Sequence, residues 1–449
     1  MMKSQVFSLF AWVGIGASVV GMGCSDSPTV PPQTTTAATS SSNGSSGMSS
    51  STGGEGGSAG GTGASGGNGG MTGVGGMTSV GGMGGAGGMG GSGGSGATGG
   101  LGTVPIIDVP DTPCNPLVGA APVTLYADNS NAPALASLSV VNGRRMAGGR
   151  FVPGFVTFDL NGASPSAAVV GVDPDFDRVA SEGNTIGLVA SDGTSTRFQR
   201  YSSNDTAVGT TLTLGNGSGA GLTIAGDAAG GSLVVWANAS SLTGQFVDAA
   251  GSAQTPFTFA DGIAVKSIAT SMVRAGNEFA LAWSAVDNGI ARGRFVRLST
   301  SGIVGSIVEL TGDSFKHYVV KLVKTPTGYA LLLHSGALAF DTLVVTLDAQ
   351  GNVAGSARRF VGTKFAMDLA ALGDSLGLVA KRADGVTEFR PLDAQGDPTG
   401  DWKCIDLPST DTYDQAGIDA DGAGWAIVYR TPAGGEKFAR TNLTGTAAP

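Results

Sequence analysis

Short runs of consecutive apolar residues recur at nearly even spacing through most of the chain. Each run follows a turn residue, as in GNTIGLVA at 183–190, GGSLVVWA at 230–237 and GDSLGLVA at 373–380. Aligned on Ile186, Leu233, Phe279, Tyr329, Leu376 and Trp425, the runs are separated by 47, 46, 50, 47 and 49 residues. A poorer seventh copy aligns on Met146. Apolar runs without polar alternation predict strands that are covered on both faces.

A turn motif follows each apolar run. The clearest copies are FDLNG at 158–162, VDAAG at 247–251, LSTSG at 298–302 and LDAQG at 347–351 and 392–396, with weaker copies YSSND at 201–205 and TNLTG at 441–445. In such turns an Asp side chain bonds the local backbone, and Gly adopts positive φ. Asp192-Gly193, Asn288-Gly289 and Asp384-Gly385 are signals for type I′ hairpins between the second and third strands of the same units.

A repeating unit of about 45 residues with four short strands is typical of a propeller blade. Residues 104–449 hold seven such units. We therefore predict an all-β fold, a seven-bladed β-propeller, with six or eight blades as the alternatives. Arrays of immunoglobulin-like domains need about 100 residues per unit, which is twice this period. The chain lacks the WD and kelch signatures, so no propeller subfamily is assigned.

The N-terminal part of the chain has a different composition. Lys3 precedes an apolar stretch from Val6 to Gly23, which predicts a secretory signal over residues 1–23. Most of the 77 glycines lie before residue 101. Residues 24–103 are rich in Gly, Ser and Thr and have little to bury, so they predict a disordered, flexible tether.

Gly23-Cys24 resembles the lipobox of bacterial lipoproteins, although Gly21 stands where that family usually has Leu. The resemblance implies that the Cys24 thiol carries diacylglycerol and attaches the chain to a membrane. With Ser25 after the cysteine, the resemblance further implies a place in the bacterial cell envelope, at the outer membrane. It does not distinguish the periplasmic face of that membrane from the surface face. The alternative is cleavage by an ordinary signal peptidase. The layout of signal, tether and propeller also resembles that of many bacterial lipoproteins.

The charge of the chain limits the classes of partner it can bind. The net charge is −9, and no Lys or Arg lies between Lys3 and Arg144, so nucleic acid is not an expected partner.

In an exported chain disulfides persist, and VTLYA at 123–127 is the natural strand to close the ring on the last blade. This closure predicts a Cys114–Cys404 disulfide at the seam. Two unpaired, buried cysteines are the alternative.

Candidate catalytic and metal sites are few. Ser375 lies in a Gly-x-Ser-x-Gly match, but the repeat makes this a strand-to-strand turn rather than a nucleophile elbow. His317 and His334 are expected to be structural, with a place on a ligand face as the alternative. The spacing of Asp173, Asp175 and Asp177 suits calcium, yet the EF-hand pattern fails at Arg178 and Asn184. We expect no catalytic residues, no metal and no cofactor, with calcium as the one alternative.

The candidate binding face is the end of the disc that holds the connections between blades. It would collect Asp173, Asp175, Asp177, Asp192, Asp287 and Asp384, although turns favour Asp for structural reasons as well. The sequence predicts an envelope-tethered, non-enzymatic binding or scaffold module with an unknown protein or glycan ligand. The alternatives are a propeller enzyme acting on glycans or peptides and a purely structural surface protein.

The lipobox resemblance predicts acylation of Cys24. Metabolic labelling with a fatty-acid probe should tag the protein, and Cys24→Ser should abolish the label because it removes the acceptor thiol. Equal labelling of the variant would contradict the anchor.

Overall fold

The computed structural model describes much of the chain beyond residue 104. The described residues are 105–117, 122–126, 135–149, 155–166, 178–217, 221–238, 240–260, 270–287, 290–310, 317–335, 341–362, 364–382, 384–405, 416–422, 424–430 and 435–445. Cys24, the proposed tether and Asp173, Asp175 and Asp177 lie outside them. Across these ranges, no helix has the length and apolar character needed to cross a bilayer.

Every named element in the described ranges is a strand. In chain order the strands are β1 Ile106–Val109, β2 Asn115–Pro116, β3 Val123–Tyr126, β4 Leu135–Val141, β5 Arg144–Gly149, β6 Phe155–Phe158, β7 Arg178–Glu182, β8 Thr185–Ser191, β9 Thr196–Ser202, β10 Ala207–Gly215, β11 Thr223–Gly226, β12 Ser232–Ala237, β13 Leu242–Val247, β14 Phe257–Phe259, β15 Thr270–Ala275, β16 Glu278–Asp287, β17 Ile290–Ser299, β18 Gly302–Glu309, β19 His317–Lys324, β20 Gly328–Ser335, β21 Asp341–Asp348, β22 Ala357–Phe360, β23 Lys364–Leu372, β24 Ser375–Arg382, β25 Thr387–Asp393, β26 Lys403–Cys404, β27 Ala416–Asp421, β28 Gly424–Arg430 and β29 Glu436–Asn442.

The described strands form seven sheets, and each sheet is one blade. Blades one to four are β4–β6, β7–β10, β11–β14 and β15–β18; blades five to seven are β19–β22 with β1, β23–β26 with β2, and β27–β29 with β3. The first strands of successive blades contact one another, and β27 contacts β4, so the ring closes around a central channel. The predicted seven-bladed β-propeller is confirmed.

The aligned apolar runs are the second strands of the seven blades. Their side chains are buried almost throughout, as in β12, because each blade packs against a neighbour on either side. A separate apolar cluster fills the space between each pair of neighbouring blades in the described ring. The two-sided burial predicted from the unbroken apolar runs is therefore confirmed.

The repeated turn follows the third strand of each blade, and in blades two to six it leads directly to the fourth. In the first blade the Gly162 amide donates to the Asp159 carbonyl, and Gly162 has φ +84°. The Asp159 carboxylate accepts the amides of Asn161 and Ala163. This is a type I turn followed by a left-handed residue. In YSSND that residue is Asp205, with φ +62°.

The predicted type I′ hairpins at Asp192-Gly193 and Asp384-Gly385 are wrong, and Asn288-Gly289 lies outside the described residues. At Asp384-Gly385 only Gly385 has positive φ, at +89°. Four residues, 192–195, separate β8 from β9, and of the pair only Gly193 has positive φ, at +78°. A type I′ turn needs positive φ at both central residues. The Asp192 carboxylate instead accepts the amides of Thr194 and Ser195 and so holds the loop.

The two ends of the disc differ in the connections they carry. Because successive strands of a blade are antiparallel, the loops between second and third strands share one end with the connections between blades. We call this the loop end. The other end carries the repeated turns, and we call it the turn end.

At the turn end, side chains from one blade bind the repeated turn of the next. The donors all lie five residues before the last residue of their own turn. They are Thr157 to Asp205 Oδ2 at 3.0 Å, Arg200 to the Ala249 and Asp248 carbonyls at 3.0 and 3.1 Å, Arg297 to the Ala349 carbonyl at 3.5 Å and Arg440 to Asn161 Oδ1 at 3.2 Å. The repeated turn is thus also a docking point between blades.

The N-terminal strands run along the rim of the disc before the first blade begins. β1 pairs in parallel with β22, β2 pairs in parallel with β26, and β3 pairs antiparallel with β29. The last pairing confirms Val123–Tyr126 as the closing strand. Asp108 in β1 accepts two hydrogen bonds from Arg359, at 2.7 and 2.8 Å. We call residues 105–117 the strap.

The Cys114–Cys404 disulfide is present, with a Cα separation of 5.3 Å. It joins the strap to β26 in the sixth blade, not to the seam, because the strap reaches that blade one step before the closing strand. The prediction of the bond is confirmed, and its expected place at the seam is wrong. It closes a loop of 290 residues, for which chain entropy alone gives roughly 5–6 kcal/mol.

The seam between the seventh and first blades carries a buried ion-pair network. Arg145 of β5 is fully buried and pairs with Asp421 of β27 at 2.5 Å. Arg440 of β29 pairs with the other carboxylate oxygen of Asp421, also at 2.5 Å. The Arg145 guanidinium lies 5.4 Å from the Phe438 ring centre. Burial lowers the pKa of Arg145, and the carboxylates of Asp421 and Asp419 oppose that shift.

Asp421→Asn should destabilise the ring. It leaves Arg145 buried without its carboxylate, and breaking a buried pair in this way costs about 3 kcal/mol. Urea unfolding at neutral pH measures the loss. Asp374→Asn, in an exposed turn between first and second strands, is the matched control and should change stability by less than about 0.5 kcal/mol. Equal effects of the two variants would contradict the role of the seam network.

Candidate functional site

The central channel is lined by the first strand of each blade, and two of these strands bulge at corresponding places. In β19 the register shifts between Val319 and Lys321, and in β23 between Ala366 and Asp368. A bulge redirects the side chain that follows it. Lys321 and Asp368 occupy equivalent positions on the fifth and sixth blades, and Lys321 Nζ lies 3.2 Å from Asp368 Oδ1.

Asp368 connects three blades. Its side chain is 3% exposed and accepts the amide of Leu369 at 3.0 Å and the amide of Ile418, in the seventh blade, at 2.9 Å. Burial raises the pKa of Asp368, and the charge of Lys321 opposes that rise. In the fourth blade, Ser271 plays a similar part by accepting the amide of Leu322 at 2.9 Å.

Asp419 of β27 is the second carboxyl group in this part of the channel. Burial raises its pKa to about 6, and the nearby negative charge of Asp368 adds to the rise. The amide of Ala420 and the charges of Lys321 and Arg145 oppose it. Asp419 is only partly exposed, so water reaches a carboxyl group that protein surrounds on most sides. Lys321, Asp368 and Asp419 together form what we call the channel cluster.

The channel cluster combines two different carboxyl groups. That of Asp368 is buried and bonded to protein groups, and that of Asp419 has a pKa of about 6, so it can exchange its proton near neutral pH. Paired carboxyl groups can act as general acid and base when both reach a substrate. Asp368, however, already bonds two backbone amides and one ammonium group, which fits the joining of blades better than proton transfer. Among the described residues, no group of three or more His, Cys, Asp or Glu side chains is arranged to hold a metal ion.

The described members of the predicted acidic face lie at the loop end. Asp192 is in the loop between β8 and β9, Asp287 ends β16, and Asp384 is in the loop between β24 and β25. They belong to the second, fourth and sixth blades, and the side chains of Asp192 and Asp384 bond within their own loops. Arg197 pairs with Asp192 at 2.9 Å, and Arg382 pairs with Asp384 at 2.5 Å. A binding role for this face stays a prediction.

Hydrogen bonds within these loops set the protonation of the two aspartates. Thr194 and Ser195 hold the pKa of Asp192 well below its usual range. A bidentate contact with Arg382 lowers the pKa of Asp384. Both carboxylates therefore stay charged at neutral pH and serve first to hold their loops.

Aromatic side chains meet at the loop end between the fifth and sixth blades. The rings of His334 and Phe365 are stacked, with centres 5.7 Å apart and planes 18° from parallel. Tyr318 lies directly across from His334 in the β19–β20 ladder, so both side chains project from the same face of the sheet. All three are partly exposed. We call Tyr318, His334 and Phe365 the aromatic platform.

The platform lies beside the channel mouth because Tyr318 and Phe365 are the second residues of two channel-lining strands. No sequence motif predicts it. The available signal was an aromatic residue near the start of the first strand in two consecutive units, one of them next to His317. A place on a ligand face is the alternative that the sequence leaves open for His334, and the structure places this residue at the loop end of the disc.

Ser375 begins β24 directly after a strand-to-strand turn in which Gly373 has φ +56°. The motif around it is therefore a hairpin between two channel-side strands, as predicted.

Comparison with known proteins gives structural likenesses at low identity. No protein-family model matches the chain, and no curated protein matches it. A polysaccharide lyase of family PL25, an ulvan lyase, superposes with TM-score 0.50 and 10% identity over 72% of this chain and 96% of the lyase. The BP39L lectin from Burkholderia pseudomallei gives TM-score 0.49 and 13% identity, covering 71% and 96%.

A prolyl endopeptidase gives TM-score 0.43 and 13% identity over 70% of this chain. The match spans about half of the peptidase, 49% of its length. At these identities the likenesses concern the fold, and both binding and enzymatic roles are compatible with it.

The raised pKa of Asp419 predicts an unusual dependence of stability on pH. Since the folded chain binds this proton more tightly than the unfolded chain, whose carboxyl has a pKa near 3.8, stability from this group is greatest below pH 4 and falls as pH rises to about 6. Asp419→Asn removes that loss. Allowing for solvent screening, it should add about 1–2 kcal/mol at pH 8 and little at pH 4.

Urea unfolding at the two pH values measures this difference, with Asp374→Asn as the control. Equal effects of Asp419→Asn at both pH values would show that burial does not raise the pKa of this carboxyl group.

Proposed function

We propose that the protein is a non-enzymatic binding or scaffold propeller, held at the cell envelope through Cys24, which takes its ligand at the loop end of the disc. The observation that carries the proposal is that Asp368 is already bonded to groups of the two neighbouring blades. The most buried carboxylate of the channel holds the amide of Ile418 and the ammonium of Lys321 and so joins blades five, six and seven. This use of the channel cluster in holding the ring supports recognition at the loop end rather than in the channel.

The envelope location rests on the sequence. An acylated Cys24 followed by a long Gly- and Ser-rich tether would hold the propeller near a bacterial outer membrane while leaving the disc free to meet a partner. A cysteine bridge in the sixth blade suits a compartment where disulfides persist.

Photo-crosslinking from opposite ends of the same blades tests the ligand face. A photoreactive residue replaces Thr194 or Asp384 at the loop end, or Asn204 or Gln395 at the turn end as matched controls; the side chains of all four positions lie at the surface. The full-length variants are illuminated in cells. Adducts should form from the loop-end positions and not from the controls. Equal adducts from both ends would contradict the proposed face, and none from any position would favour a purely structural protein.

A propeller enzyme acting on glycans or peptides is the second candidate, favoured by the nearness of two carboxyl groups in the channel cluster. Incubation of the full-length protein with envelope polysaccharide and with peptides, followed for new reducing ends or amines, distinguishes the two. Turnover that disappears in Asp419→Asn would replace the binding proposal with the enzyme.

A further inference from the structure

We propose that the aromatic platform is a carbohydrate-binding subsite that takes one ring of a neutral oligosaccharide at the mouth of the channel. The proposal rests on the proposed binding function and names the ligand class and the residues that hold it. The platform is assembled from two neighbouring blades, so it exists only where the fifth and sixth blades pack together.

The geometry of the platform suits a sugar ring. Aromatic faces carry negative charge density and attract the polarised C–H groups of an apolar ring face. The His334 and Phe365 rings are nearly parallel and stack on each other at the boundary of the fifth and sixth blades, so a sugar ring would pack on the outer, partly exposed side of the pair. The phenol of Tyr318, across the ladder from His334, adds a hydroxyl that can donate or accept. A few polar groups around an aromatic surface are typical of sites that orient a small ligand.

The charge of the chain favours a neutral ligand. The whole chain has net charge −9, which disfavours strongly anionic polymers. A neutral sugar avoids this penalty and gains the stacking contact.

The test uses the full-length protein on an array of immobilised neutral oligosaccharides, with a parallel array of peptides. Wild type should bind at least one neutral oligosaccharide, whose affinity is then measured by calorimetry. Phe365→Ala should weaken that binding by up to about ten-fold, because stacking of this kind contributes at most on the order of one factor of ten. Phe365→Tyr keeps the ring and should restore most of the affinity. Tyr318→Phe should weaken binding by a smaller factor.

Phe257→Ala is the matched control. Phe257 is a partly buried phenylalanine in the outer strand of the third blade, away from the platform, and its loss should leave sugar affinity unchanged. Thermal unfolding of each variant shows whether the ring still closes. If Phe365→Ala unfolds the protein, Tyr318→Phe, which removes one oxygen atom, carries the test.

Three results would overturn the subsite: no binding to any neutral oligosaccharide, sugar binding that both platform variants leave intact, or platform-dependent binding to peptides alone. None of these results alone would contradict the proposed binding function, because the photo-crosslinks from the loop end would persist in all three. Loss of those crosslinks as well would overturn both proposals.

Discussion

Burial of both faces of every blade is the constraint on which this fold depends. A second strand such as β28, with Trp425, Ile427 and Tyr429 fully buried, has no solvent-facing side. A sheet of this kind is stable only between two neighbours, so the first and last blades must meet. The closing strand β3, the apolar cluster at the seam and the pairing of Arg145 with Asp421 all serve that one requirement.

Polar contacts then set the position of each blade against the next. At the turn end, Arg200, Arg297 and Arg440 reach carbonyl or amide oxygens of the neighbouring turn. In the channel, Asp368 and Ser271 accept amides from the next inner strand. These bonds are directional, whereas the apolar clusters are not, so they select one relative placement of blades whose sequences differ. The same placement brings His334 and Phe365 into contact across a blade boundary.

The features that the sequence predicted well are local ones. An Asp and a Gly at fixed spacing form a turn through their own backbone, and an unbroken apolar run such as that around Leu233 needs cover on both faces wherever it lies. The number of blades, the closing strand at Val123 and the cysteine pairing followed from counting such units.

The features that sequence reasoning missed depend on the closed ring. The strap pairs in parallel with two outer strands, and four or fewer residues in each of β1 and β2 give no readable pattern. The disulfide was therefore expected one blade too late. The channel cluster arises from bulges before Lys321 and Asp368, which no periodicity reveals, and its members lie on three different blades. The raised pKa of Asp419 has the same origin, because the burial that causes it is supplied by other blades.

The order of the strap and the closing strand along the chain has a mechanical consequence. A pull applied to the chain ahead of residue 105 first meets β1 with its Asp108–Arg359 pair, and then the covalent bond at Cys114. Only beyond that bond does the chain reach β3, whose hydrogen bonds close the ring. While the disulfide is intact, tension passes into the sixth blade and bypasses the seam, so the hydrogen bonds that close the disc are shielded from a load arriving at its N-terminal side.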